Sequence, residues 1–341
     1  MTRPLQPLRI VFLVAGLSLF VLLCQHLGLS DLGRAVGRAD PWRFVVFLAL
    51  SAAVFLTYAK RWSIVLVAMG GGRPPPALHT LLGFRAAEHA VSTLLPSAHL
   101  SGEPMRAFLL RRRRRGWTRS IASVAMDRML DLTASSILGP AYVVVFFLAN
   151  DGSAWAAPWV MGGMIACLVA LAGFYLHSYR RGTVISLLAR RGFFPRARGS
   201  LESIDRQLTE FLRTRSFLVA LALSFLAEGL IIAELWTLAA AFALPISLST
   251  LVGVMVGMGI AQLLPIPAAI GSLEATEVGV LTLAGGSASL GLAVGLVVRV
   301  RETLWILVGL AVLYVEGLSW RSVAAEALPT SGNTAAIEPK E

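Results

Sequence analysis

The chain has 341 residues, of which 56% are hydrophobic and 14% charged, and its formal net charge is +11. This composition excludes a large soluble domain and indicates an integral membrane protein. The arginines lie beside apolar runs, so we interpret the basic charge as contact with an anionic membrane surface and predict no nucleic-acid partner. The cysteines, Cys24 and Cys167, lie in apolar runs and give neither a disulfide framework nor a zinc-binding spacing.

Six apolar segments are long enough to be full spans, since about 20 residues cross a bilayer. They are Leu8–Leu27, Trp42–Val67, Leu132–Ala149, Trp155–Leu176, Phe217–Leu244 and Ser287–Leu318. The first is too long for a signal peptide, so we predict that it is retained. We predict one transmembrane domain over residues 1–320 and a disordered polar tail over 321–341. The mixed segment Trp117–Asp131 is expected to lie at the membrane interface.

Two further apolar segments, Ala77–Leu110 and Ser247–Ala284, are interrupted by similar motifs. The first contains LLPSAHLSGEPMR and the second LLPIPAAIGSLE. Proline lacks a backbone donor and glycine permits unusual backbone angles, so neither segment favours a continuous helix. We predict two broken helical hairpins. Their hinge residues are Pro96, Gly102 and Pro104 in the first, and Pro265, Pro267 and Gly271 in the second.

The arginine distribution predicts the orientation. The run Arg111–Arg115 and the basic loop 178–215 should be cytoplasmic under the positive-inside rule. Both termini are then cytoplasmic, and the two broken hairpins enter from opposite faces. The fold class is therefore an all-α polytopic membrane protein with about six full spans and an inverted repeat, over residues 42–150 and 216–318.

Ionisable residues inside apolar segments are costly and mark functional sites. The candidate substrate-binding residues are Ser101, Glu103, Arg106, Glu274, Glu277 and Arg299. Arg106 would hold a lipid phosphate, and Glu103 would hold a cationic group or orient Arg106. Alternatively, these two residues neutralise each other.

The second group of candidates also leaves alternatives open. Glu274 and Glu277 would recognise a cationic headgroup or couple to protons, or they would only be stabilised by a helix dipole. Arg299 can pair with Glu302 or with Glu274, and we favour Glu274. Glu228 and Glu234 could belong to the same cavity as this pair.

Three charged residues, Asp127, Arg128 and Asp131, are candidates for a supporting role. They would form a solvated interfacial cluster, with Arg128 and Asp131 paired at i, i+3, or they would anchor the first hairpin. Another group, Arg85, Glu88 and His89, shares one helical face. We predict that this face is a hydrated cavity wall, and we predict no metal and no cofactor.

Several of these motifs together resemble the transmembrane domain family of lysylphosphatidylglycerol synthases, which are flippase-like membrane proteins. The matching pieces are Leu95-Pro96-Ser97, Gly102–Arg106, Asp127–Asp131, Pro265, Gly271–Glu274 and Arg299. The resemblance implies a bacterial inner-membrane protein linked to translocation of lipids or lipid-linked sugars. It also implies that Asp127, Arg128 and Asp131 anchor the first hairpin. Full-length synthases carry a soluble aminoacyl-transfer domain, which we do not expect here because the chain stops at Glu341.

The leading hypothesis is a lipid translocator and not an enzyme. Its substrate would be an anionic or aminoacylated phospholipid, or a lipid-linked compound, and its oligomeric state is left open. The alternative is a membrane-embedded lipid-modifying transferase, or an accessory subunit of hopanoid or polyprenol-sugar synthesis. A weaker third hypothesis is a structural scaffold for a neighbouring enzyme.

Overall fold

The computed structural model describes most of the chain from residue 40 to residue 317. The described residues are 37, 40–70, 74–95, 102–113, 116–149, 157–183, 198–244, 247–263, 266, 269–283 and 287–317. Five features predicted from the sequence therefore lie outside the described residues. They are the first span, Ser101, the hinge prolines Pro96, Pro265 and Pro267, the motif residues Pro96 and Ser97, and the polar tail.

The described part of the chain forms ten helices and no strands. The helices are α1 (Pro41–Ala68), α2 (Leu78–Leu94), α3 (Gly102–Arg112), α4 (Trp117–Ala149), α5 (Ala157–Arg181), α6 (Arg198–Leu212), α7 (Arg215–Ala241), α8 (Leu248–Leu263), α9 (Ser272–Leu283) and α10 (Ala288–Val315). The predicted all-α fold of a polytopic membrane protein is confirmed, whereas the number of spans stays a prediction.

Three helical segments are long and apolar enough to cross a membrane: Pro41–Ala68, Met161–Arg180 and Arg215–Ala241. The first begins where local sequence favours it. Asp40 accepts a hydrogen bond from the backbone N of Trp42 at 3.0 Å, and Pro41 stands in the first turn, where a missing N–H costs nothing. The longer helices α4 and α10 are also largely apolar, but each carries charged residues along its length.

The structure differs from the sequence prediction at Trp117–Asp131. This segment and Leu132–Ala149 form one continuous helix of 33 residues, α4. Asp127 is fully buried on it. The interpretation of Asp127, Arg128 and Asp131 as a solvated interfacial cluster is therefore wrong, because arginines from other helices neutralise the two aspartates in place of water.

Both broken segments consist of two short helices separated by an interruption. Hairpin one comprises α2 and α3, and hairpin two comprises α8 and α9. Pro104 stands in the first turn of α3, where proline is tolerated. Gly271 precedes α9 with a φ of +81°, which favours glycine, as predicted for a hinge.

Gly102 begins α3 at a point where the two arms of hairpin one come close together. A Cβ at this position would lie 2.1 Å from Ser92 Oγ and 2.4 Å from the carbonyl oxygen of Glu88. Glycine is therefore required by the close approach of the two arms of hairpin one.

Several helices of the first half of the chain pack against helices of the second half. Helix α1 lies along α7, α2 packs on α10, and α8 packs on α4. Exchanging the first set of four helices (α1–α4) with the second set (α7–α10) leaves the α1–α7 pair unchanged and converts the α2–α10 pair into the α8–α4 pair. The internal repeat itself stays a prediction. The membrane face from which each hairpin enters stays a prediction.

Candidate functional site

The first half of the molecule contains a buried group of charges, here called the four-arginine cluster. Its members are Arg61 on α1, Arg85 and Glu88 on α2, Glu103 and Arg106 on α3, and Asp127, Arg128 and Asp131 on α4. Asp127 lies at its centre. It accepts hydrogen bonds from Arg61 Nε at 2.7 Å, Arg106 Nη1 at 2.6 Å and Arg85 Nη1 at 3.3 Å.

The charges of the four-arginine cluster are balanced. Four guanidinium groups face four carboxylates, and Asp131 binds Arg61 and Arg85. Tyr58 adds its ring, whose centroid lies 4.5 Å from Arg85 Cζ and 5.0 Å from Arg61 Cζ. Because buried charges are tolerated only when paired, the cluster ties α1, α2, α3 and α4 into one arrangement.

The pairings within the cluster differ from those considered from the sequence. Arg106 is fully buried and contacts Asp127 and, at 3.3 Å, Glu88. Glu103 forms an ion pair with Arg128 at 3.0 Å. The mutual pairing of Glu103 with Arg106, and that of Arg128 with Asp131, are therefore both wrong: these residues reach across to other helices.

The second half contains another group of charges, here called the second-hairpin cluster. Its members are Glu234 on α7, Glu274 and Glu277 on α9, and Arg299, Arg301 and Glu302 on α10. Arg299 Nε lies 2.5 Å from Glu274 Oε1, which confirms the favoured pairing, and its Nη1 also lies 2.9 Å from Glu302 Oε2. Arg301 pairs with Glu234 at 2.7 Å.

Glu274 also shapes the interruption of hairpin two. Its Oε2 accepts a hydrogen bond from the backbone N of Gly271 at 2.8 Å, and Arg299 Nη2 donates to the carbonyl oxygen of Ala269 at 2.8 Å. These bonds satisfy polar groups that a chain break at membrane depth would otherwise leave unpaired. The Arg299–Glu274 ion pair therefore stabilises the interruption of hairpin two and also neutralises the two charges.

A polar cavity of about 400 Å³ lies between the two clusters. The four-arginine cluster supplies Arg85, Glu88 and Arg128 to its wall, and the second-hairpin cluster supplies Glu234 and Arg301. The other lining residues are Ser51, Val54, Phe55, Tyr58, His89, Ser92, Ile231, Leu235, Met258, Gly259 and Trp305. Both charged clusters thus meet at one space.

Aromatic side chains form one side of this cavity. The rings of Phe55 and Trp305 stack with centroids 3.8 Å apart, and His89 packs edge-on against Phe55 at 5.6 Å. The indole N–H of Trp305 donates to Ser51 Oγ at 2.9 Å. These contacts join α1, α2 and α10 and give the polar cavity an apolar face.

A second, mainly apolar pocket of about 500 Å³ adjoins the polar cavity. The two spaces share Ile231, Leu235, Met258 and Gly259 as lining residues. The apolar pocket is otherwise lined by Ser135, Gly139, Tyr142, Val143, Glu228, Met255 and Val256. A polar space therefore opens beside an apolar one, with a common wall from α7 and α8.

The substrate-binding residues predicted from the sequence lie near the polar cavity but do not line it. None of Glu103, Arg106, Glu274, Glu277 and Arg299 lines the described cavity. Glu103 and Arg106 each contact a residue that lines the cavity: Glu103 contacts Arg128, and Arg106 contacts Glu88.

The helical face with Arg85, Glu88 and His89 does line the cavity, as predicted, and so does Glu234. Arg61 and Arg301 were not identified as site residues from the sequence. Their position inside long, largely apolar helices was the available signal.

Comparison with known proteins identifies the family. Residues 8–311 match the family described as the lysylphosphatidylglycerol synthase TM region. The chain belongs to this family. It is also similar to a UPF0104 membrane protein of Methanothermobacter thermautotrophicus, with 25% identity over 313 residues that cover 85% of this chain and 89% of the relative. The resemblance inferred from the motifs is thus confirmed over nearly the whole chain, which is a membrane protein.

Proposed function

We propose that the protein binds a phospholipid or lipid-linked substrate in the polar cavity and moves it between the two leaflets of the membrane. The observation that carries this proposal is the adjoining pair of spaces, one polar and one apolar. An amphiphile needs both: a charged headgroup requires ionic partners, and an acyl chain requires an apolar surface. The shared residues, such as Leu235 and Met258, would lie beside the junction of headgroup and chain.

Arg128 is the best candidate to bind a lipid phosphate. Its side chain is 37% exposed, the largest value among the four arginines of its cluster, and its ion-pair partner is Glu103. Arginine presents a planar set of donors that fits phosphate oxygens. Arg106, the residue proposed from the sequence, is closed off by its contacts with Asp127 and Glu88 in this conformation.

The cavity wall also carries carboxylates, Glu88 and Glu234. A headgroup that combines a phosphate with an amine would find partners of both signs, which supports a zwitterionic or aminoacylated phospholipid. Glu234 is held by Arg301 at 2.7 Å, so an incoming ammonium group would compete with that arginine. Because Arg301 can take the place of the ammonium group on Glu234 again, the headgroup would be released rather than held permanently.

Headgroup binding would loosen hairpin one. The Glu103–Arg128 pair joins α3 to α4, and a phosphate on Arg128 would compete with Glu103. Because a partly exposed ion pair contributes only about 0.2–1 kcal/mol, a headgroup can displace it without a large barrier. The arm α3 would then lose one of its ionic links to α4, while the buried link from Arg106 to Asp127 stays.

The test is lipid translocation in proteoliposomes. Purified protein is reconstituted with fluorescent anionic, zwitterionic or aminoacylated lipids, and an impermeant reductant quenches the outer-leaflet label. We expect extra quenching with the wild type, a strong loss with Arg128→Gln, and no loss with the control Arg198→Gln on the surface of α6.

Quenching equal to that of empty liposomes for all lipids, with folded protein, would contradict translocation. A change in the lipid's mass under the same conditions would instead indicate the transferase alternative.

A further inference from the structure

Glu277 differs from the other carboxylates of the two clusters. It is fully buried on α9, and neither of its carboxylate oxygens has a hydrogen-bond partner among the described residues. Glu274, three residues earlier, is as deeply buried but bonds Arg299 and the backbone of Gly271. An ionised carboxylate without a partner in an apolar interior is far more costly than a protonated one.

The charges around Glu277 are unbalanced. The second-hairpin cluster places four carboxylates against two guanidinium groups, Arg299 and Arg301. The charged groups that act on Glu277 are Glu274 on its own helix and Arg299, Arg301 and Glu302 on α10. Among the described helices, α8 is the other one that packs closely against α9, and its sequence has no ionisable residue. The four-arginine cluster, by contrast, is balanced.

The backbone closes tightly around this side chain. A Cβ at Gly295 on α10 would lie 2.3 Å from Glu277 Oε2, and one at Gly291 would lie 2.7 Å from Val278 Cα. On the other side, a Cβ at Gly257 of α8 would lie 2.2 Å from Thr276 Cγ2. Glycines therefore let α8 and α10 approach α9 closely, as small residues do between membrane helices.

We propose that Glu277 is a proton-binding site, occupied in this conformation and exchanging its proton with water when hairpin two separates from α10. A proton on Glu277 removes one of the two excess negative charges in the least space. A metal ion would need several oxygen ligands, and the nearest carboxylate, Glu274, is already engaged by Arg299. Separation of α9 from α10 would expose Glu277 to water, where the carboxylate is stable and the proton leaves.

Only the consequence of this inference rests on the proposed function: if the protein moves lipid, the proton site links that movement to a proton gradient. Loss of the proton from Glu277 would disfavour closure of α9 onto Gly295. A proton gradient that protonates Glu277 from one side of the membrane and releases the proton to the other side would then favour movement of hairpin two in one direction.

The first experiment is infrared spectroscopy of the full-length protein in nanodiscs at neutral pH, which needs no lipid movement. We expect a C=O stretching band of a protonated carboxyl that is lost in Glu277→Gln and kept in Glu210→Gln, an exposed control on α6. Gly295→Ala keeps the glutamate but pushes its oxygen, so the band should shift. A wild type without the band, or a band that survives in Glu277→Gln, would overturn the proposal.

The second experiment imposes a pH gradient on the translocation assay. The wild type and Glu210→Gln should move lipid faster in one gradient direction, and Glu277→Gln should lose this bias. If the wild type moves lipid without any bias, proton exchange at Glu277 is overturned. If the band is present and no lipid moves, the proposed function fails and the occupied proton site stands.

Discussion

Arg61 and Asp127 form a fully buried ion pair, with 2.7 Å between Nε and Oδ1, across 66 positions of sequence. Arg61 comes from α1 and Asp127 from α4, and Arg61 Nη1 also donates to Ser224 Oγ of α7 at 3.0 Å. This contact joins the first set of helices to the second. Arg61 and its partners therefore hold α1, α4 and α7 together.

Removal of the central carboxylate should destabilise the protein strongly. Asp127→Asn leaves Arg61, Arg85 and Arg106 without their common partner, and breaking a buried ion pair costs about 3–5 kcal/mol. We expect a large fall in Tm in detergent. Glu202→Gln, which breaks the exposed Arg198–Glu202 pair on α6, is the control and should cost no more than about 0.5 kcal/mol. Equal effects of the two substitutions would contradict the central position of Asp127.

Two neighbouring glutamates should respond differently to the same substitution. Glu274→Gln removes one of the two ionic partners of Arg299 and should cost about 2–3 kcal/mol, since hydrogen bonds to charged groups are the strong ones. Glu277 has no hydrogen-bond partner among the described residues, and Glu277→Gln keeps its shape, so we expect a loss below about 1 kcal/mol. Thermal melting of both variants checks this. A larger loss for Glu277→Gln would show that its carboxylate is ionised and bound.

Hairpin one should not tolerate a methyl group at the start of its second arm, α3. Gly102→Ala places Cβ against Ser92 Oγ and the backbone of Glu88, and the backbone cannot move cheaply, so we expect a loss of about 1–3 kcal/mol. The matched control is Gly229→Ala on α7, where a Cβ meets no atom within 4 Å. It should be neutral or stabilising by up to about 1 kcal/mol. A stable Gly102→Ala protein with unchanged Tm would contradict the observed packing of α2 on α3.

Headgroup affinity should rise when the competitor of Arg128 is removed. Glu103→Gln frees the guanidinium group from a partly exposed ion pair worth up to about 1 kcal/mol, so anionic lipid should bind up to about fivefold more tightly. Binding is measured by titration of short-chain lipid against the purified protein. The double variant Glu103→Gln/Arg128→Gln serves as the control and should lose the gain. Weaker binding by Glu103→Gln would indicate that the glutamate itself holds the headgroup.

The opposite entry of the two hairpins is also testable. In a variant without Cys24 and Cys167, single cysteines at His99 and at Ile270 should react with impermeant thiol reagents from opposite faces of the membrane. Reaction of both from one face would contradict the inverted repeat.

The sequence predicted the hairpins because proline, glycine and charged residues interrupt apolar runs, and such interruptions are local. It also predicted the pairing of Arg299 with Glu274, because an arginine exposed to lipid would be too costly. It did not predict the partners of Arg106 and Arg128. Those partners lie on other helices, and the spacing along one helix carries no information on contacts between helices.

The position of the cavity was only partly predictable. One helical face, that of Arg85 and Glu88, indicated a polar wall, but the opposite wall comes from α7 and α10. Arg301 shares its segment with Arg299, and nothing local shows which of the two faces the cavity. Only the contact between helices, the ion pair of Arg301 on α10 with Glu234 on α7, decides this.

The most direct test of the account is photocrosslinking of lipid probes followed by mass spectrometry of the labelled residues. A diazirine in the headgroup should label residues of the polar cavity, such as Phe55, His89 or Trp305, and one in the acyl chain should label Val143 or Met255. Arg128→Gln should reduce headgroup labelling. Labelling by both probes confined to outward residues of α5, such as Trp159 and Leu176, would contradict the assignment of the cavity as the lipid site.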